Sequence, residues 1–135
     1  MSVINDVLEA VRGLCNAESP FADVKIGSLP ADDSIALFVG SGAPNETYLD
    51  KGMSIELSCT LNAKHHNPKT ASDALNDLHQ ALTQAEAYPA TDAYQITDIS
   101  TISVPSYIGR EENKQYLYGS SLRVRFYMKK VKTNA

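Results

Sequence analysis

Between Met53 and Ala85 the chain changes its hydrophobic period once, and that change limits what it can fold into. Met53, Ile55, Leu57, Cys59, Leu61 and Ala63 alternate with Ser54, Glu56, Ser58, Thr60 and Asn62. Successive side chains of a strand point to opposite faces, so this segment reads as a strand with one face in a core and one in water. Lys64-His65-His66-Asn67-Pro68-Lys69 breaks the alternation. Ala71, Ala74, Leu75, Leu78, Leu82 and Ala85 then recur at three- and four-residue steps, which places one apolar stripe along a helix. Thr70, with Asp73 three residues on, is expected to cap that helix, and Asp73 and Asp77 suit its positive end. A half-greasy strand followed by a one-striped helix predicts a sheet layer with helices packed against it.

The flanking segments extend this pattern. Val3, Ile4, Val7, Leu8, Val11 and Leu14 repeat at helical spacing behind Ser2, a good N-cap, and the helix is expected to stop at Gly13 and the stretch Asn16–Pro20. Val24–Gly27 and Ile35–Val39 read as strands, the second apolar enough to be covered on both sides. Gly40–Gly52 holds three glycines and a proline and reads as a long loop; Pro105–Lys114 reads as a second exposed loop. The segment Tyr94–Val104 is β-rich, but Ile99 breaks the parity of Ile96 and Ile102, which a bulge near Asp98 explains. In the last strand Leu122, Val124, Phe126 and Met128 face one way and Arg123, Arg125, Tyr127 and Lys129 the other. The expected fold is α+β: one domain over residues 1–135 with 130–135 as a frayed tail, a small, mostly antiparallel sheet, and an N-terminal and a central helix packed on one face.

Composition narrows the function classes. With 43% hydrophobic and 21% charged residues the chain is expected to be globular. A net charge of −4 argues against a dedicated nucleic-acid binder, despite the basic stripe Arg123, Arg125, Lys129, Lys130 and Lys132. No apolar run approaches the ~20 residues that cross a bilayer. The opening residues lack a basic segment followed by a greasy one, so no membrane association and a cytosolic site of synthesis are expected. Cys15 and Cys59 are expected to be unpaired, buried thiols.

Three imidazoles, His65, His66 and His79, are the candidate metal ligands together with Cys59. A metal site built from Cys59, His65 or His66, and His79 needs convergent ligands, whereas adjacent residues of an extended chain point apart. A small metal-dependent enzyme or binding protein using these residues is kept as the alternative reading. There is no Gly-x-Ser-x-Gly elbow and no phosphate-cradling loop, and nothing assembles a nucleophile, base and orienter, so no enzyme and no cofactor are expected. What remains is assembly through exposed Tyr and Arg, residue types enriched at interfaces.

The segments Ile55–Leu61, Ala74–Leu82, Thr101–Arg110 and Leu122–Tyr127, in that order behind a leading helix, resemble tailed-bacteriophage minor capsid proteins of the tail-terminator type. The resemblance implies an α+β domain with a twisted antiparallel sheet flanked by helices. It also implies a structural virion protein without enzymatic activity, forming a ring, usually a hexamer, that terminates the tail tube and joins tail to head. The partners it implies are copies of the chain itself, the tail tube protein and a head-completion or neck protein. DNA would pass through the ring without specific binding, and assembly would take place in the bacterial host cytoplasm. A head-completion or neck component of the same scaffold is the close alternative. The expected protein-interface residues are Asn45, Tyr48 and Asp50 on the first loop, Tyr107, Arg110 and Glu111 on the second, and Arg123, Arg125 and Tyr127 on the last strand.

Overall fold

A computed structural model describes residues 3–47 and 53–129. Helix α1 (Val3–Asn16) is followed by strands β1 (Val24–Ile26), β2 (Ser34–Thr47) and β3 (Met53–His65). Helix α2 (Pro68–Thr83) leads to β4 (Tyr94–Arg110) and β5 (Tyr116–Met128). The strands form one sheet in the order β1-β2-β3-β5-β4. Three of its neighbour pairs are antiparallel and β1-β2 is parallel, so the fold is the expected α+β with a mostly antiparallel sheet.

The β3 alternation is realised as read. Ile55, Leu57, Cys59, Leu61 and Ala63 are buried against Val7, Leu8, Val11 and Cys15 of α1 and Ala71, Leu75, Leu78 and Leu82 of α2. Leu122, Val124 and Phe126 of β5 and Ile96 and Ile99 of β4 complete that core. Both helices therefore cover one face of the sheet. The bulge expected near Asp98 is present as a register shift between Ile96 and Asp98, which returns Ile99 to the core side.

Several boundaries differ from expectation. Most of the loop expected at Gly40–Gly52 is strand: β2 runs to Thr47 and pairs with β3 up to Met53, absorbing its irregular residues in register shifts at Val39/Ser41 and Pro44/Glu46. The loop expected at Pro105–Lys114 is likewise mostly strand, because β4 continues to Arg110 and only a tight turn remains before β5. Gly13 does not stop α1, which continues to Asn16. There the Asn16 side chain accepts from the Val24 N–H at 2.7 Å and ties the helix end to β1. The α2 cap is Asn67 rather than Thr70, with Pro68 as the first helical residue. Asn67 Oδ1 accepts from the N–H groups of Lys69 and Thr70 at 2.9 and 3.3 Å, so the helix is capped nearly a turn before the expected Thr70. Asp73 and Asp77 then lie beyond the first turn, and Asp73 pairs with Lys69 instead. At the other end Tyr88 donates to the Leu82 carbonyl at 2.7 Å, one of the acceptors the helix leaves open.

Cys15 and Cys59 are free and fully buried. Burial, then the neighbouring Cys59 and Glu18, pushes the Cys15 thiol up to about 12, and burial pushes Cys59 up to about 11. Because the thiolate is the reactive form, neither is expected to react with a disulfide reagent in the folded protein, and both should react once it is denatured. Rapid titration of either thiol under native conditions contradicts this packing.

Candidate functional site

Helix α2 touches β3, β4 and β5. His79 marks its contact with β4, its Nδ1 lying 2.9 Å from Thr101 Oγ1. Beyond that point β4 is largely bare: Ile102, Val104, Tyr107 and Ile108 are 43%, 69%, 56% and 55% exposed. They cluster within seven residues of one edge strand.

The far end of this stretch is held in place. Tyr107 packs edge-on against Tyr118, centroids 5.7 Å apart, and Arg110 lies over the Tyr116 ring at 5.5 Å. Glu111 pairs with the buried Lys64 ammonium at 3.6 Å, joining the β4–β5 turn to the end of β3. Gln115 is fully buried and donates to Asp33 at 2.7 Å, while His66 Nδ1 lies 2.8 Å from the same Asp33 oxygen and His65 Nε2 3.4 Å from the other. Burial pushes the Asp33 carboxyl upward, but the Gln115 hydrogen bond and the two imidazoles outweigh it and hold the group below its ordinary value.

His65 and His66 thus belong to this tether, with Phe21 edge-on to His65 at 4.8 Å. They are not brought together with Cys59, which is in the core, or with His79. Among the described residues no three His, Cys, Asp or Glu side chains are arranged to hold a metal ion. A groove between Glu18–Phe21 and α2 is lined by Glu18, Asp73 and Asp77.

His79 is 5% exposed, and burial lowers its pKa. The folded imidazole therefore stays neutral where the unfolded one, with a pKa of about 6.5, takes up a proton. Its contribution is intact above that value and stability falls as pH drops through it, because the unfolded state then binds the extra proton. His79→Gln should flatten the fall in melting temperature between about pH 7 and pH 5. An unchanged slope contradicts this reading of the imidazole.

The expected interface residues fall into separate groups. Tyr107 and Arg110 on β4 and Glu111 in the turn meet at the tethered corner. Arg123 and Arg125 lie on the face opposite the helices and both pair with Glu56 of β3, Arg125 at 3.4 Å, so the basic stripe is partly neutralised there. Tyr127 lies near the other end of β5, opposite Ser54 and Gln95. Asn45 is in β2 at a register shift, not in a loop, and Tyr48 and Asp50 lie outside the described residues. Ile108 falls in the segment expected to be exposed, but Ile102 and Val104 were not foreseen as surface features; the clue is the uncharged run from Ile99 to Gly109. Asp33 and Gln115 were also missed.

No family model and no curated protein matches the chain. A solved structure described as "Virion of native gene transfer agent (GTA) particle" contains a chain of similar fold. The TM-score is 0.56 over 92% of this chain and 91% of that chain, at 12% identity. At that identity the likeness is one of fold.

Proposed function

We propose that this chain is a structural subunit of a virion, of the tail-terminator type, which closes into a ring on the finished tail tube and joins it to the head. The observation that carries the proposal is the fold shared, nearly end to end, with a chain of a gene transfer agent virion. The exposed apolar stretch of β4 supports it, because a surface of that kind is expected to be covered in an assembly. On this reading the protein has no enzymatic role, and its partners are further copies of itself, most simply six in the ring, the tail tube protein and a neck or head-completion protein. It is assembled in the bacterial host cytoplasm and retained in the virion. DNA passes through the ring without being gripped, which suits a net charge of −4.

Light scattering on the purified chain, alone and with tail tubes, together with electron microscopy of particles made without it, tests the proposal. The expected result is a closed ring on tail ends, and unjoined heads and tails when the protein is missing. A protein that stays monomeric even with tails present, and whose loss leaves normal joined particles, overturns it. Rings that assemble on heads rather than tails point to the neck component of the same scaffold.

A further inference from the structure

The sheet has two open edges, and they match each other. On one side β1 pairs only with Ile35–Leu37 of β2, so among the described residues the β2 backbone from Phe38 to Thr47 has no neighbour on that side. On the other side the start of β4 is covered by the preceding connection. Thr91 N–H donates to the Tyr94 carbonyl at 2.8 Å, Ile96 N–H donates to the Pro89 carbonyl at 3.2 Å, and Ala90 bridges Gln95. From Thr97 onward no described strand lies along the side of β4 that faces away from β5.

Position, direction and chemistry agree. Following the registers across the sheet, Gly42 stands level with Leu57, Val124 and Ile99, and Phe38 with Thr60, Ser121 and Ser103. The open part of β2 is therefore level with Thr97–Ser103 of β4, so two copies meet without sliding along the strands. Three successive antiparallel steps make β2 and β4 run in opposite directions. A neighbour rotated about an axis along the strands thus presents β2 antiparallel to β4. Both edges are also poor in the charges that usually blunt free strands: none occurs from Ile35 to Asn45 or from Ile99 to Gly109, and Asp98 is the one charge in the 97–103 stretch. Pro44 and Pro105, which have no N–H to donate, mark the two ends of the ladder, and β1 occupies the β2 edge on the far side of Phe38.

We propose that β2 of one copy pairs antiparallel with β4 of the next, residues 38–44 against 97–103, so that the sheet continues from subunit to subunit and closes as a ring. The occupant of the bare β4 edge is a second copy of this chain, and the contact is heterologous, as ring closure requires. About seven residues of ladder span roughly 23 Å. Ile102 and Val104 add apolar contact beside it. The inference rests on the ring reading above and assigns its interface.

Ile102→Lys with Val104→Lys tests it, since both residues are already exposed in the single subunit. The double variant should melt like the wild type yet remain monomeric where the wild type forms rings. A wild-type ring with an unaffected double variant overturns the assigned edge and leaves the ring reading standing, whereas a wild type that forms no ring even on tails overturns both. If the double variant misfolds, disulfide trapping decides. Ser41→Cys combined with Ser100→Cys should give a covalent ladder up to the full ring on oxidation. Val104→Cys alone should give no efficient dimer. Efficient dimers from the single variant, or no ladder from the pair, overturn the β2–β4 contact.

Discussion

Phe126→Ala is expected to lower the unfolding free energy by about 3–5 kcal/mol. Phe126 is fully buried on β5, flanked in register by Ile55 of β3 and Ile96 of β4. Its ring fills the layer between the sheet and the helices at the strand that joins the two halves of the core, where backbone pairing on both sides resists collapse into the space. Truncation thus forfeits the transfer free energy of the ring and leaves a cavity as well. Urea unfolding followed by far-ultraviolet circular dichroism measures the change, which suits a chain without tryptophan. A loss below about 1 kcal/mol contradicts the packing described.

Gly119→Val is expected to destabilise by about 1–3 kcal/mol, through crowding rather than loss of contact. A Cβ at residue 119 meets the side chain of Ile108 and lies 2.9 Å from Asn62 Oδ1. Glycine is required there by close approach: β4 folds Ile108 across β5 at the only kind of residue that leaves room for it. Because Ile108 is the flexible partner, shortening it should recover part of the loss. Gly119→Val with Ile108→Ala is expected to be less destabilised than the two single effects summed, a coupling that a double-mutant cycle measures. Strict additivity would mean that residue 119 does not feel Ile108.

What the sequence makes legible is what periodicity encodes. The β3 alternation, the apolar stripe of α2 and the apolar face of β5 are read correctly, since each carries a pattern of its own, whereas the α2 cap, set by a single side chain, is misplaced at Thr70 instead of Asn67. The bulge near Asp98 is legible because one isoleucine falls out of step. Gly40–Thr47 and Pro105–Arg110 are misread as loops because glycine, proline and polar residues suppress the pattern, whereas pairing to a neighbouring strand needs only backbone groups and tolerates register shifts. The same difference separates the expected site from the observed one. Tyr and Arg stand out by type, but the bare β4 edge depends on where α2 stops covering it. The tether joins Asp33 to Gln115, 82 residues away, a contact no local window contains.

The order of the strands also governs when the molecule can become itself. Strand β5 lies between β3 and β4, so the middle of the sheet is completed by partners as distant in the chain as Met53 and Met128. Such contacts form late, because the closure entropy of the intervening segment is spent before they return anything. During synthesis α1, β1, β2, β3 and α2 emerge with the apolar sides of β3 and α2 still short of the strand that completes their core. Until Tyr116–Met128 has left the ribosome the nascent chain remains unfinished and prone to stick to its siblings, which makes chaperone demand during translation a property of this topology.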